Sequence, residues 1–108
     1  MLTRPDTVDR PALGWWIAIV GGLGLLGVLG VHSGAYALWV QHVTGVFSQT
    51  QLLRIFIVSY LIHVGEALWA RRLAQRSGLY ASANGWAFQT FLIGFPSLRL
   101  LRARAQVR

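Results

Sequence analysis

From Leu13 to Val31 the chain runs nineteen residues without a charged or strongly polar side chain. Wound as an α-helix, that run spans roughly 28 Å, close to the hydrocarbon thickness of a bilayer, about 30 Å. Few folds are open to a chain that carries it. In lipid the segment must satisfy its own backbone N–H and C=O groups, and a lone segment does so only as a helix. Two further apolar runs follow, Leu52 to Ala70 and a shorter one from Trp86 to Leu101. The expected fold is all-α: a small transmembrane helical bundle of three spans, over 13–31, 52–70 and 86–101. His32 to Thr50 is apolar but interrupted by polar residues and glycine, and reads as a short interfacial segment between spans one and two. Residues 1–12 read as a polar N-terminal tail, 13–101 as one membrane domain, and 102–108 as a basic C-terminal tail.

Composition agrees with this reading. Of 108 residues, 55% are hydrophobic and 12% charged, against about a quarter charged in soluble domains. All ten basic residues are Arg, and the net charge is +7. The arginines gather at the borders of the apolar runs, where positive charge meets phospholipid headgroups. Arg71, Arg72, Arg99 and Arg102 are the expected headgroup anchors. Nucleic acid is not an expected partner, because the arginines do not interleave with aromatics on a polar face. The bilayer is one, with another membrane protein or a second copy beside it. The chain has no cysteine, which excludes disulfides, zinc–thiolate sites and thiol chemistry. A basic set made only of Arg also points to a GC-rich genome, and so to a bacterial inner membrane.

The tryptophans fit three spans. Trp15 and Trp16 open span one, Trp69 closes span two and Trp86 opens span three, so an up-down-up path puts all four at one membrane face. Tyr36 and Trp39 then belong to the other. Gly78 is placed as a helix C-cap, Ser82 or Asn84 as the next N-cap, and Pro96 as a kink in span three. On this path the arginines divide evenly. Arg4, Arg10, Arg71, Arg72 and Arg76 lie on one side, and Arg54, Arg99, Arg102, Arg104 and Arg108 on the other, which leaves orientation open. A rival reading takes Ala35-Tyr36-Ala37 as a signal-peptidase site after span one.

Beyond the N-terminal tail the one acid is Glu66, inside span two. At 100° per residue, Ser59, His63 and Glu66 share a helix face, with Leu61, Val64 and Leu68 opposite. An ionisable group at this depth belongs in the bundle interior. Span three offers Gln89, Thr90, Gly94 and Ser97, and if Trp69 and Trp86 share a level then Gln89 or Thr90 hydrogen-bonds Glu66. The His63–Glu66 pair admits four roles: a structural hydrogen bond fixing helix register, a site for a lipid headgroup or sterol hydroxyl, a proton relay, or half of a metal site. The last lacks ligands, so no metal and no cofactor are expected. Gly14, Ala18 and Gly22, with Gly30 and Gly34, form small-xxx-small pairs that let helices approach closely. Gly22 to Gly27 satisfies G-x-G-x-x-G, but no strand precedes it, and it is set aside as chance. No hydrolytic constellation is present.

Tyr60-Leu61-Ile62-His63-Val64-Gly65-Glu66-Ala67-Leu68, followed by Gln89-Thr90-Phe91-Leu92-Ile93-Gly94 and Ser97-Leu98, resembles the transmembrane protein 254 family, small multi-pass membrane proteins without an assigned activity. The resemblance covers roughly Leu53 to Leu101, with Pro96 a departure from the pattern. It implies that His63, Glu66 and Gln89 form a family signature, and it implies no reaction. A His and a Glu one turn apart are also similar to the ergosterol-biosynthesis scaffold family, at a different spacing. The first expectation for function is a non-enzymatic accessory or scaffold subunit of a membrane complex. The alternatives are a lipid- or sterol-binding protein using His63 and Glu66, and a proton-handling subunit.

Overall fold

The structure, a computed structural model, describes residues 5–106; Arg4 and Arg108 lie outside them. Every regular element among the described residues is helical. Helix α1 spans Leu13–Val31 and α2 Ser33–His42, after a one-residue break at His32. Helix α3 spans Gln49–Arg76, α4 Ala83–Ile93 and α5 Phe95–Gln106.

Each boundary has a local cause. At the α1–α2 break the extended His32 turns its ring so that Nδ1 accepts the Ala35 N–H at 3.0 Å, capping α2. The Tyr36 hydroxyl donates to the Phe47 carbonyl and ties the connector down. Ser48 and Gln51 form a capping box at the head of α3. At its tail Gly78, at φ 81°, closes a Schellman turn, with Leu79 N–H bonded to Ala74 C=O and Gly78 N–H to Gln75 C=O.

Two helices, α1 and α3, are long and apolar enough to cross a membrane. Only 11% of either apolar window is buried inside the protein. Leu13, Ile17, Val31, Leu61 and Leu68 are each more than 60% exposed. A soluble protein buries such helices in its core; here they present an apolar surface too large for water.

Helices α1 and α3 run antiparallel and meet most closely at Gly30. A Cβ built there would lie 2.9 Å from Leu53 Cα, so the two backbones touch. Gly27 sits against the Phe56 ring, and Gln49 Nε2 donates to the Leu29 carbonyl at the end of α1. Among the glycines singled out for packing, Gly30 makes the helix–helix contact. Gly14 and Gly22 face open space, and Gly34 faces the His32 ring. We expect Gly30→Ala to lower unfolding stability in detergent by about 1–3 kcal/mol, through a backbone collision that no rotamer relieves. Gly22→Ala should stay within about 1 kcal/mol of the parent, on the stabilising side. Equal losses at both positions would contradict this packing.

The third apolar stretch departs from expectation. It is two helices, and the chain reverses between them. Gly94 adopts φ 72°, ψ −129°, backbone that side-chain-bearing residues avoid. Pro96 stands in the first turn of α5, where its missing N–H costs nothing. It therefore starts a helix and kinks none. The reversal shows in the cross-contacts. Gln89 and Thr90 of α4 bond Ser97 of α5. Leu101 joins Ala70, Ala74, Leu79, Ala83 and Trp86 in the buried core. At 11 and 12 residues, α4 and α5 are each about 16–18 Å long, well short of a bilayer crossing. A straight 86–101 span is thereby corrected to a helical hairpin. Trp86, expected at the interface, is fully buried in that core. Trp15 and Trp69 remain 41% and 43% exposed.

Residues 5–9 are not a loose tail. Asp6 accepts hydrogen bonds from the Ala81 and Ser82 N–H groups and from the Ser82 hydroxyl. It thus caps α4 from 76 residues away in sequence, where the helix dipole favours a negative charge. Ser82 is the N-cap residue, but its hydroxyl donates to Asp6 and caps nothing itself. The Ser82 hydroxyl, then the two backbone N–H groups and the charge of Arg104, hold the Asp6 carboxyl below its ordinary 3.8, against an opposing desolvation. A depressed folded value gives stability that is complete above 3.8 and lost as pH falls through the lowered one. Hydrogen-exchange protection of the Ala81 and Ser82 amides should therefore hold at neutral pH and fade in acid below that point. Asp6→Asn should remove the pH dependence.

Candidate functional site

Helix α3 presents Ser59, His63 and Glu66 along one wall of a cleft. Helix α1 supplies the facing wall, with Trp15, Ala18, Ile19, Gly22, Leu23 and Leu26. Ile93, Phe95 and Pro96, at the tip of the α4–α5 hairpin, close one side. The cleft opens because α1 and α3 touch at Gly30 and Gly27 and leave a gap from there toward Trp15. Its volume of about 580 Å³ falls within the range of small-molecule sites, about 300–1,000 Å³. The lining is apolar but for Ser59, His63 and Glu66.

His63 holds the hairpin tip. Its Nδ1 lies 2.8 Å from the Phe91 carbonyl. A carbonyl only accepts, so Nδ1 carries the hydrogen. Phe91 stands in the last turn of α4, where carbonyls lack helical donors, and His63 supplies one. The other face of the ring meets Gly94: a Cβ there would lie 2.8 Å from His63 Nε2. Tyr60 adds an edge-on contact to the Phe91 ring, with centroids 4.9 Å apart. Further toward the base of the hairpin, Arg71 Nε donates to Asn84 Oδ1 at 2.9 Å.

Glu66 is half-buried in the cleft wall. Among the described residues it has no hydrogen-bond or ion-pair partner. The expected bond from Gln89 or Thr90 is not formed. Gln89 Nε2 donates to the Asp9 carbonyl at 2.8 Å and to Ser97 Oγ at 3.0 Å, and Thr90 Oγ1 pairs with Ser97 Oγ. The physical reason is the turn at Gly94, which brings α5 over the polar side of α4. Gln89 and Thr90 then both bond Ser97 inside the hairpin, and Gln89 also reaches the Asp9 carbonyl. The His63–Glu66 hydrogen bond, one of the four roles open to the pair, is likewise absent, and His63 bonds Phe91 instead.

The structure therefore divides the proposed polar cluster in two. Ser59, His63 and Glu66 line the cleft, while Gln89 and Thr90, with Ser97, hold the hairpin together. Ala18 and Gly22 belong to the cleft wall. Arg71, Arg72, Arg99 and Arg102 are all exposed. The sequence reading missed Arg104, a buried guanidinium that donates to the carbonyls of Thr7 at 2.6 Å and Pro5 at 2.7 Å and pairs with Asp9 at 3.8 Å. Its partners lie almost a hundred residues away, beyond any local pattern. The capping box at Ser48 was readable as S-x-x-Q. Among the described residues no three His, Asp or Glu side chains converge on a point that could hold a metal ion.

The profile of a family described as Transmembrane protein 254 matches residues 14–103. A rat (Rattus norvegicus) protein named Transmembrane protein 254 is 41% identical over 56 residues, covering 50% of this chain and 46% of the relative. The aligned part thus spans about half the length of that relative. No solved structure matches. The profile takes in α1, the connector, α3 and the hairpin as far as α5, so the cleft and both its walls lie inside the matched region, and the chain belongs to the transmembrane protein 254 family.

Proposed function

We propose that the protein is a multi-pass membrane protein, crossing the bilayer with α1 and α3, that holds an amphiphile in the cleft between them. The observation that carries this is Glu66: a carboxyl without a protein partner among the described residues, set in a mostly apolar cleft of about 580 Å³. A carboxyl left facing lipid is unfavourable, by about 2.5–3.5 kcal/mol at the bilayer centre and less toward the headgroups, and a ligand that bonds it offsets that cost. Glu66 suits a head that donates hydrogen bonds, a hydroxyl or an amine. The apolar walls suit a chain or ring system behind it. Glu66 lies about 4.5 Å inward of Trp69 along α3, the depth at which a lipid's polar head gives way to its tail. His63 is bound to the hairpin, and we assign it the closing of the cleft.

The test is lipid retention in mild detergent, read by native mass spectrometry. The parent should keep one lipid per chain. Glu66→Ala should lose it, and Ala18→Phe should lose it by filling the cleft. Leu61→Ala, on the opposite face, should not. Equal occupancy in all four proteins would refute the reading. A second reading, an accessory subunit, is favoured by the open faces of Gly14 and Gly22 beside the cleft, which would admit a partner helix. It predicts a co-purifying membrane protein, released by Gly14→Leu, in place of the lipid.

A further inference from the structure

We infer that the α4–α5 hairpin enters and leaves the bilayer through the same face, and that this face carries an arginine platform for anionic phospholipid. The inference rests on α1 and α3 crossing the membrane, and is independent of what fills the cleft.

The path of the chain carries it. Asn84 at the head of α4 bonds Arg71, and Phe91 near its foot bonds His63. Helix α4 thus runs back along α3 from the Trp69 end toward the middle. The turn at Gly94 lies against His63, about 9 Å inward of Trp69 along α3. Helix α5 then returns: Leu101 packs with Ala70 and Ala74, and Arg104 reaches Pro5 and Thr7, whose neighbour Asp6 caps α4. The start of α1, the end of α3 and the end of α5 therefore lie at one membrane face. A half-depth helical hairpin suits lipid because its backbone is satisfied within its helices and, at their ends, by His63 and Asp6, its polar Gln89 and Thr90 both bond Ser97, and its core side chains are buried.

The reversal changes the count of charges. With three straight spans the arginines cancel between faces. With the hairpin, Arg10, Arg71, Arg72, Arg76, Arg99 and Arg102 all come to the face marked by Trp15 and Trp69, and each is exposed. Arg104 lies at the same level but is consumed by Pro5, Thr7 and Asp9. Among the described residues Arg54 alone belongs to the other face. Such an imbalance sets orientation, with the arginine face cytoplasmic, where leaflets hold anionic lipid. Arginine offers phosphate a planar set of donors, and Trp15 and Trp69 seat at headgroup depth beside it.

The absence of native cysteine makes single-cysteine labelling direct. Arg10→Cys, Val46→Cys and Ala103→Cys would be probed with a membrane-impermeant maleimide in right-side-out and inside-out vesicles. We expect Arg10→Cys and Ala103→Cys to label from the cytoplasmic side and Val46→Cys from the other. Ala103→Cys labelling with Val46→Cys would overturn the hairpin while leaving both crossings intact. Arg10→Cys labelling with Val46→Cys would remove the crossing of α1, and with it the basis of both proposals. The expected pairing with its sides exchanged would overturn the platform. In vesicles of mixed phosphatidylglycerol and phosphatidylcholine, the parent should enrich phosphatidylglycerol in its lipid shell. That enrichment should be lost when Arg71, Arg72, Arg99 and Arg102 are all replaced by Gln, and its persistence would also overturn the platform.

Discussion

Gly94→Ala is expected to open the α4–α5 hairpin and to be the most damaging single-methyl addition in the chain. Two independent costs meet at this residue. The backbone at φ 72°, ψ −129° penalises any side chain by about 1–3 kcal/mol. The added methyl would also lie 2.8 Å from His63 Nε2 and 3.1 Å from Cε1, and forcing it in adds about 1–3 kcal/mol. The His63 ring cannot step aside freely, because Nδ1 is bonded to the Phe91 carbonyl. His63→Ala in the Gly94→Ala background should recover the steric part and leave the backbone part, giving a coupling of about 1–3 kcal/mol in a double-mutant cycle. The readout is chemical unfolding in detergent. Additive losses would mean that the ring and the turn do not touch.

Arg104→Ala is expected to release the N-terminal segment from the hairpin. Arg104 is 6% exposed, and its guanidinium makes short bonds to the Thr7 and Pro5 carbonyls. Hydrogen bonds to charged groups contribute about 1.5–3 kcal/mol each, and we place the combined loss at about 2–4 kcal/mol because the accepting residues are themselves exposed. Arg104→Lys should restore only part of it, since a single ammonium replaces a planar fork that reaches two carbonyls. With the segment freed, endoproteinase Asp-N should cut before Asp9 markedly faster. Protection of the Ala81 and Ser82 amides should fall too, because Asp6 arrives on the same segment. An unchanged cleavage rate would show that Arg104 does not hold the segment.

Both effects sit where local patterns in the sequence stop. The length of α1 and the apolar centre of α3 were readable because a helix in lipid needs an uninterrupted apolar run, and Leu13–Val31 is one to the residue. The cap at Gly78 was readable because a Schellman turn favours glycine. The shared face of Ser59, His63 and Glu66 follows from helical periodicity alone. The hairpin was obscured by its own composition. From Trp86 to Leu101 the side chains are apolar enough for a short span, and the reversal hangs on Gly94 followed two residues later by Pro96. A proline that soon after a glycine marks a new helix's first turn, whereas a kink leaves the preceding helix continuous. Trp86 misled in the same way, since an indole can serve a belt or fill a core. The docking of Asp6 and Arg104 links residues 75 to 99 positions apart, and no periodic pattern encodes that.

Correcting the third stretch alters the reading of Glu66. With Gln89 and Thr90 engaged inside the hairpin, Glu66 faces the cleft without a protein partner among the described residues, and the structural role open to the His63–Glu66 pair passes to His63 alone. The ligand reading and the arginine platform both follow from the same turn in the chain.

The turn itself is the most direct thing to measure. Spin labels at Asn84→Cys and Ala103→Cys, in a chain with no other cysteine, report the distance between the base of α4 and the end of α5 by pulsed electron resonance in nanodiscs. A hairpin puts the two helix axes about 8–10 Å apart at that level, so the label distribution should be short and narrow. A continuous third span would separate the two positions by about 28 Å along one helix, and a distribution centred there would contradict the account.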